Sequence, residues 1–383
     1  MEFSVVIPTH DRSASLARVL AAYEAQEPRD LDFEVVAVDD GSSDGTAEVL
    51  AAWRPRRYRL RFAVEAAGGP AKARNRALEL AAGRRVLFTG DDVEPQPDLL
   101  HQHRLGHRRM DDDPGVAVLG FTGWPPGSNP TATMRHVDGP GAQQFSYHYM
   151  QDGAEYDFRH LYTSNVSVTR ELLDREPSHF STDFPAAAFE DAEFGSRLAR
   201  HGLRIVYRAA ARAWHHHRYE AAGFFRRQLR CGEMAALLYR KSPELERFLD
   251  LATLEDRRLV LVTHPGGVPG EASLHLPLEE AERRVLHLAG CFDPLPFDVD
   301  ELLAPLFRYA YLRGFAGSFY RPQTAAALAA RLFADLLFPA LERLEQRVSQ
   351  EGIPCPRADL EALRSRRADP IAGSHPYPMH KPR

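Results

Sequence analysis

Cysteine and long apolar runs are scarce in this sequence of 383 residues, and neither sign of charge dominates. Its three cysteines, Cys231, Cys291 and Cys355, share no CxxC spacing, which argues against a structural zinc site and indicates a reducing, cytoplasmic setting. No run of about 18 apolar residues is present, so we expect no transmembrane segment. The N-terminus lacks the features of a signal peptide. The net charge of −5 provides no basic excess for binding nucleic acid.

The first 120 residues alternate between strand patterns and helical patterns. Such alternation predicts an α/β fold, with a mainly parallel sheet covered by helices on both faces. Strands are predicted at residues 4–7, 34–38, 60–64, 85–88, 164–168 and 204–207, and helices near residues 16–23, 46–53, 71–82, 189–201 and from about 219. Residues 121–160 are rich in glycine, proline and aromatic residues, and we expect them to be irregular.

The chain beyond residue 240 is predicted to be mostly helical. Helices are expected near residues 279–288, 302–315 and 325–348, with apolar residues at a spacing of three and four that gives each helix a buried face. We therefore divide the chain into a domain of residues 1–240, a helical region of residues 241–368 with no assigned role, and a proline-rich tail of residues 369–383. A homodimer through the C-terminal helices and a peripheral membrane contact are both compatible with this pattern.

Polar clusters follow three of the predicted strands. They are Pro8-Thr9-His10-Asp11, Asp39-Asp40-Gly41-Ser42 and Gly90-Asp91-Asp92. In open parallel sheets, ligands bind beyond the carboxyl ends of the strands. Two adjacent carboxylates after a buried strand are costly unless a positive group lies against them. For Asp91 and Asp92 the natural partner is a hard divalent cation that holds a diphosphate.

In their order along the chain, these clusters resemble the family-2 inverting nucleotide-sugar glycosyltransferases, which have the Rossmann-like GT-A fold. The matching stretches are Ser4-Val5-Val6-Ile7-Pro8-Thr9, Val38-Asp39-Asp40-Gly41-Ser42-Ser43-Asp44-Gly45-Thr46, Ala73-Arg74-Asn75-Arg76-Ala77-Leu78, Gly90-Asp91-Asp92-Val93-Glu94-Pro95, Thr163-Ser164-Asn165-Val166-Ser167 and Glu190-Asp191. The resemblance covers roughly residues 1–235. It implies a metal-dependent enzyme that moves a sugar from a nucleotide sugar to an acceptor hydroxyl by a single displacement. The resemblance does not specify the acceptor, which can be a glycan, a lipid-linked sugar or a natural product.

The resemblance places the nucleotide at the first two strand ends. Pro8, Thr9 and Asp40 are the expected nucleobase pocket, with Asp39 as the other possible acceptor for the imide N–H of uracil, which favours a UDP-sugar over a GDP-sugar. Asp11 belongs to the same cluster. A strand-to-helix turn with Asp and Ser caps explains Asp39 and Asp40 without any ligand. Further candidates for nucleotide contacts are Arg74, which a solvated helix face explains about as well, and Asp91 at the ribose.

The resemblance also implies a Mn²⁺ or Mg²⁺ site. Asp92 corresponds to the last aspartate of the family's Asp-x-Asp motif, although Gly90 replaces the first one. His215 and His217 would lie on one side of an extended segment and complete the site, because neutral imidazole binds Mn²⁺. The three consecutive histidines leave open which of them binds. Arg226, Arg227 or Arg230 would lie near the diphosphate, unless they form a solvated helix face.

Asp191 is the expected general base, at the start of a predicted helix. A helix N-terminus stabilises a carboxylate, so we expect Asp191 to be ionised, with Glu190 holding the acceptor or orienting the loop. First-turn helix residues without any chemistry are the other interpretation.

Two other function classes fit the same fold. A sugar-nucleotide nucleotidyltransferase would carry a glycine-rich loop after the first strand, and residues 8–13 contain no glycine. A non-catalytic nucleotide-sugar-binding protein would not need Asp92, Asp191 and His215 together.

Overall fold

The computed structural model describes residues 1–254, apart from Ala142, Gln144 and Ser146, and residues 276–364. The predicted tail, residues 369–383, lies outside the described residues. A nine-stranded sheet forms the N-terminal part, with the order β3-β2-β1-β4-β8-β6-β9-β5 and β7 paired to β9. Its strands are β1 Phe3–Thr9, β2 Phe33–Asp40, β3 Arg59–Glu65, β4 Arg85–Thr89, β5 Val93–Pro95, β6 Val116–Gly123, β7 Glu155–Tyr156, β8 Asn165–Thr169 and β9 Arg204–His215.

The sheet is parallel through its first four strands and mixed beyond them. Strands β1 to β4 pair in parallel, as do β6 and β9, whereas β8 runs antiparallel to both β4 and β6. The α/β prediction is therefore confirmed, and the antiparallel pairs lie on the later strands. Strand β9 is much longer than the strand predicted at residues 204–207, because it pairs with β6, with β7 and with β5.

Helices cover both faces of the sheet. They are α1 Ser13–Glu24, α2 Thr46–Ala52, α3 Pro70–Leu80, α4 Leu99–Arg109, α5 Ala132–Asp138, α6 Arg170–Asp174, α7 Glu190–Ala199 and α8 Ala221–Lys241. Alternate residues of β1 point to opposite faces, as expected of a buried strand. Val6 packs in one cluster with residues of α3 and α7, while Val5 and Ile7 pack in another with residues of α1 and α4. The segment predicted to be irregular, residues 121–160, contains α5 and two short 3₁₀ turns.

The C-terminal region forms a helical core that includes α8. Its helices are α9 Leu278–Phe292, α10 Asp300–Phe319, α11 Pro322–Glu351 and α12 Arg357–Arg364. The buried apolar residues of α8, α9, α10 and α11 belong to one continuous cluster, which also takes in residues of α5. The boundary placed at residue 240 thus falls at the end of a helix whose apolar face is shared with the C-terminal helices.

Helix α11 qualifies the expectation that no segment is long and apolar enough to cross a membrane. By length and composition alone it passes that test, but half of its apolar window is buried inside the protein. A core helix of a water-soluble protein would pass in the same way, so this single helix is weak evidence for a membrane span.

Asp293 joins the helical region to the sheet domain. Its carboxylate accepts the backbone N–H of Thr133 at 3.0 Å and that of Ala221 at 2.7 Å, and its carbonyl accepts the N–H of Ala132. The first turns of α5 and α8 are therefore held by one acid from the C-terminal region. Because Asp293 is only 5% exposed, these charge-assisted bonds are shielded from water.

Two glycines allow α8 and α10 to cross closely. A Cβ on Gly232 would lie 1.9 Å from the Tyr311 carbonyl oxygen, and one on Gly314 would lie 2.0 Å from that of Leu229. The backbones of the two helices therefore touch without intervening side chains, which no larger residue would permit.

We expect Gly232→Ala to lower the free energy of unfolding by at least about 1–3 kcal/mol, because the new methyl group must push α8 and α10 apart. Gly317→Ala is the matched control on α10, since a Cβ there meets nothing within 4 Å. The control should be neutral or stabilise by up to about 1 kcal/mol through helix propensity. Thermal denaturation of both variants measures the difference. Equal Tm values would show that the crossing is not tightly packed.

Candidate active site

Thr9 and Asp39 form a polar pair at the carboxyl ends of β1 and β2. The two residues are register partners in the parallel pair, and both are buried. The Asp39 Oδ2 atom has no hydrogen-bond partner among the described residues, whereas the Thr9 hydroxyl lies near Asp91 and partly offsets the rise in the pKa of that carboxyl. The other carboxylate oxygen of Asp39 accepts the N–H of Ser42 at 2.9 Å and its hydroxyl at 2.5 Å. A buried acceptor, the Asp39 Oδ2 atom, is thus left over for a ligand, next to a buried hydroxyl.

Asp40 is the residue that the sequence favoured for binding the nucleobase, but both of its carboxylate oxygens already accept hydrogen bonds within the protein. Its two carboxylate oxygens accept the backbone N–H groups of Gly68 at 2.8 Å and Gly69 at 2.7 Å, at the loop before α3. Gly69 has a φ of +88°, which favours glycine. The preference between the two aspartates is therefore reversed, since Asp39 retains a free acceptor and Asp40 holds a loop.

Asp11 also acts within the fold. Its carboxylate accepts the N–H of Ser43 at 2.7 Å, and its own N–H donates to the Ser42 hydroxyl at 2.8 Å. Asp44 accepts the N–H of Ser13 at 2.9 Å in return. These reciprocal bonds join the β1–α1 loop to the β2–α2 loop, and Pro8, in β1 just before the first loop, is partly buried. We find no spare acceptor role for Asp11 comparable to that of Asp39.

Asp91 and Asp92 follow β4 and differ in their electrostatics. Burial and the adjacent charge of Asp92 raise the pKa of Asp91 to about 6. Burial alone would also raise the pKa of Asp92, but hydrogen bonds and attraction from His215 and His217 outweigh it and lower that pKa. The pair therefore concentrates its negative charge on Asp92, beside the two imidazoles.

Asp92, His215 and His217 form a group able to bind a metal ion. The Asp92 Oδ2 atom lies 3.4 Å from the His215 Nε2 atom and 3.7 Å from the His217 Nδ1 atom. One ligand atom from each of the three residues lies within 4.8 Å of the others. His216 lies apart from this group, with its Nε2 atom 2.7 Å from the Glu94 carboxylate. The structure thus separates the middle histidine from the other two, as an extended segment requires.

Pairing between β5 and β9 brings this group together. Val93 is the register partner of His215, so Asp92 at the start of β5 lies beside the end of β9. The Asp92 carbonyl also accepts the His216 N–H at 2.8 Å. Residues more than 120 positions apart in the chain therefore meet through a short antiparallel ladder.

A bulge in β9 makes that pairing possible, and Asn165 fills it. Gly120 of β6 pairs with Arg208, but Phe121 pairs with Arg212, so three residues of β9 are extra. The Asn165 Nδ2 atom donates to the Phe121 carbonyl at 3.1 Å and to the Ala211 carbonyl at 2.9 Å. Two backbone acceptors that the shifted ladder leaves open are satisfied in this way.

His103 fixes the orientation of Asn165. Burial lowers the pKa of His103 to about 4, so its ring is neutral near pH 7. Its Nε2 atom lies 2.9 Å from the Asn165 Oδ1 atom, which only accepts, so that nitrogen carries the proton. Its Nδ1 atom then accepts from the Ser167 hydroxyl at 2.9 Å. Although Asn165 belongs to a stretch singled out in the sequence, this role was not predicted.

Asp191 lies in the first turn of α7, beside a buried ion pair. The Arg74 Nη1 atom donates to the Glu190 Oε1 atom at 2.8 Å, and both side chains are nearly inaccessible. The expectation that a helix N-terminus keeps Asp191 ionised needs correction. Burial and the neighbouring charge of Glu190 raise the pKa of Asp191, and the partly opposing charge of Arg74 does not cancel them. Arg74 is thus committed to Glu190 instead of standing on a solvated helix face.

Two residues near His215 were not predicted. The Trp124 ring stacks on the His215 ring with centroids 5.5 Å apart and planes at 13°. Asp138, the last residue of α5, lines the same small cavity. Both lie in the segment expected to be irregular, where the sequence shows no periodicity that would place them beside a histidine some 80 positions away.

Comparison with known proteins defines the family. Residues 4–174 match the family model described as glycosyl transferase family 2. The chain carries a family-2 glycosyltransferase domain. The matched segment includes Thr9, Asp39 and Asp92 but ends before Asp191 and His215, so the roles of the latter two are argued from geometry. The family domain confirms the predicted glycosyltransferase family 2, and the sheet order confirms the predicted α/β fold class.

Curated relatives match part of the chain. The validoxylamine A glucosyltransferase of Streptomyces hygroscopicus subsp. limoneus is 29% identical over 225 residues, 53% of this chain and 49% of that protein. The poly(ribitol-phosphate) β-N-acetylglucosaminyltransferase TarS of Staphylococcus aureus is 37% identical over 93 residues, 24% of this chain and 16% of that protein. The chain therefore spans about half the length, or less, of these relatives.

The solved structures that match most of the chain share little sequence with it. The structure of S. aureus TarS residues 1–349 with UDP covers 83% of this chain and 91% of its own, with 20% identity and a TM-score of 0.46. The mannosyltransferase PcManGT from Pyrobaculum calidifontis, in complex with GDP-Man and Mn²⁺, covers 94% of this chain and 85% of its own, with 20% identity and a TM-score of 0.46.

Proposed function

We propose that this enzyme transfers a sugar from a nucleotide sugar, with UDP favoured, to an acceptor hydroxyl in a single metal-dependent displacement that inverts the anomeric centre. The observation that carries the proposal is the convergence of Asp92, His215 and His217 at the carboxyl end of the sheet. The Thr9–Asp39 pair at the same end of the sheet and Asp191, a carboxylate of raised pKa in the first turn of α7, supply the other parts that the reaction needs. The acceptor is a glycan, a lipid-linked sugar or a natural product.

The donor atoms at the Asp92 group suit Mn²⁺ better than Mg²⁺. One carboxylate oxygen and two imidazole nitrogens lie within 4.8 Å of one another. Mg²⁺ prefers oxygen ligands, whereas imidazole suits transition metals. When bound, such an ion supplies positive charge that neutralises the departing diphosphate. Asp92 then provides the one full negative charge of the group, which its lowered pKa keeps ionised.

Thr9 and Asp39 are the proposed contacts to the nucleobase. The unpartnered Asp39 Oδ2 atom can accept the imide N–H of uracil, and the Thr9 hydroxyl can bond to an adjacent carbonyl. Guanine would also present N–H donors, so the preference for UDP rests on this single acceptor beside a small hydroxyl.

Asp191 is the proposed general base. A base works best when its pKa lies near the operating pH, and burial together with Glu190 moves the pKa of Asp191 upward in that direction. Arg74 holds Glu190 at 2.8 Å, which positions the first turn of α7. Phe189, just before it, has a φ of +67°, a strained conformation of the kind found at functional sites.

The other function classes are less well supported. The β1–α1 loop is clipped to the next loop through Asp11 and Asp44 and lacks the glycines of a nucleotidyltransferase. A purely binding protein would not need a buried carboxylate of raised pKa in the first turn of α7. A cytoplasmic location, a homodimer through the C-terminal helices and a peripheral membrane contact stay predictions.

The metal assignment predicts that substitutions of Asp92 and His215 weaken metal binding, whereas substitution of His216 does not. Asp92→Ala and His215→Ala should weaken Mn²⁺ binding by more than the roughly 10–100-fold that losing an outer-shell partner costs. His216→Ala is the matched control, because its imidazole contacts Glu94 and not Asp92. Titration of Mn²⁺ followed by electron paramagnetic resonance measures binding without activity. Equal affinities for all three variants would contradict the assignment.

The nucleobase pocket predicts that Asp39→Asn weakens UDP binding by roughly 10-fold or more, since a charge-assisted bond is lost. Asp40→Asn should instead lower the Tm, because its carboxylate holds two loop N–H groups. Calorimetry with UDP and thermal denaturation separate the two effects. Weaker UDP binding for Asp40→Asn at unchanged Tm, with Asp39→Asn normal, would reverse the assignment.

The base assignment predicts that Asp191→Asn lowers turnover by roughly 10²–10⁴-fold while UDP binding persists. The same variant should raise the Tm at alkaline pH. A folded pKa raised above the unfolded value near 3.9 means that wild-type stability falls as pH rises through the folded pKa, and Asn removes this penalty. The gain should shrink towards about pH 4. UDP release from UDP-sugars with Mn²⁺ measures turnover, and normal turnover would move the base elsewhere.

A further inference from the structure

A cavity of about 370 Å³ opens beside the proposed active site and is strongly basic. Its lining residues include four arginines, Arg218, Arg226, Arg227 and Arg230, and a single acid, Glu220. The volume suits a small ligand, since small-molecule sites usually measure about 300–1,000 Å³.

The arginines on α8 are not neutralised by carboxylates. Across residues 1–254 and 276–364, neither Arg226 nor Arg230 has an ion-pair or hydrogen-bond partner, and both are exposed. The Arg227 guanidinium lies over the Phe224 ring at 5.4 Å and contacts the Cys231 sulfur, again without an acid. Arg230 is a neighbour of both Arg226 and Arg227 on the helix surface, since it lies four and three residues after them, and all three line the cavity. A row of unpaired guanidinium groups in a concave site is suited to an anion.

The residues that line the cavity indicate that an anion bound there would lie on the acceptor side of the proposed active site. His217 is the member of the proposed metal group that lines the cavity, whereas Thr9, Asp39 and Asp91 of the nucleotide side do not. Residues Ala186–Ala188 also line the cavity, and they lead directly into the turn that carries Asp191. After burial, the charges of Glu190 and Asp191 also raise the pKa of the Cys231 thiol in the cavity wall. The cavity thus extends from the metal group towards the base, where an acceptor must enter.

We propose that the cavity binds an acceptor with an anionic group, a phosphate or a carboxylate, near its reacting hydroxyl, through Arg226, Arg227 and Arg230. This inference rests on the proposed function, of which it specifies the acceptor class. Small residues in the lining, Ala186–Ala188 and Gly223, leave room for the acceptor. A Cβ at Gly223 would meet nothing within 4 Å. The arginines would bind the anionic group of the acceptor and thereby hold its neighbouring hydroxyl in place. Asp191 can then take the proton of that hydroxyl.

The test uses the full chain with saturating UDP and Mn²⁺, so that the donor diphosphate site is filled. Calorimetric titration compares glycerol 3-phosphate, glycerate and glycerol, which share hydroxyl groups and differ in charge. We expect one or both anions to bind and glycerol not to bind, and the tighter of the two identifies phosphate or carboxylate as the preferred group. The double variant Arg226→Gln and Arg230→Gln should weaken anion binding by about 10-fold or more, since two charge-assisted contacts are lost.

The controls separate this inference from the proposed function. The double variant Arg18→Gln and Arg108→Gln removes two exposed charges on α1 and α4 and should bind the anions as the wild type does. If Arg226→Gln and Arg230→Gln weakens UDP binding and no anion binds once UDP is present, the arginines serve the donor and the inference is wrong. If the wild type does not bind UDP with Mn²⁺, the proposed function fails, and the anion titration without UDP still decides for the cavity.

Discussion

The short ladder between β5 and β9 is the interaction on which the proposed active site depends. Strand β5 has three residues, and its pairing with the end of β9 sets His215 beside Asp92. Without it, the carboxylate that follows β4 and the histidines more than 120 positions later would not meet. The ladder in turn depends on the extra residues of β9, whose carbonyl at Ala211 is satisfied by Asn165. A neutral, buried His103 holds that amide in one orientation. A polar network within the sheet therefore determines the geometry of a site at its edge.

The carboxylates of the proposed active site differ in the direction of their pKa shifts and in their proposed roles. Asp92 has a lowered pKa beside two imidazoles, whereas burial raises the pKa of Asp91 to about 6 and also raises that of Asp191. One carboxylate is thereby suited to a cation and another to accepting a proton. Carboxylates whose environments move their pKa values apart are the usual arrangement for acid and base chemistry near pH 7.

Much of the fold could be predicted from the sequence, and the structure brings the predicted metal ligands Asp92, His215 and His217 together. The strands β1 to β4 and their helices follow apolar periodicity, which is a local signal. The choice between Asp39 and Asp40 could not be predicted, because both follow the same strand and differ only in whether Gly68 and Gly69 reach them. The length of β9 was underestimated, since its pairing with β5 depends on a bulge. The pKa of Asp191 was judged from its helix position alone, whereas its burial and the charge of Glu190 are tertiary facts.

The hydrogen bonds of Asp293 have a consequence for the order in which parts of the chain can fold during translation. The sheet and the proposed metal group are complete in sequence by residue 217, yet the first turns of α5 and α8 bond to an acid that leaves the ribosome some 70 residues later. Helix α8 also needs α10 for its close glycine contact. During translation the nucleotide half can therefore form first, while the basic cavity beside α8 takes shape only after the C-terminal helices have folded. Partly synthesised chains would thus hold the donor side of the site without a finished acceptor side.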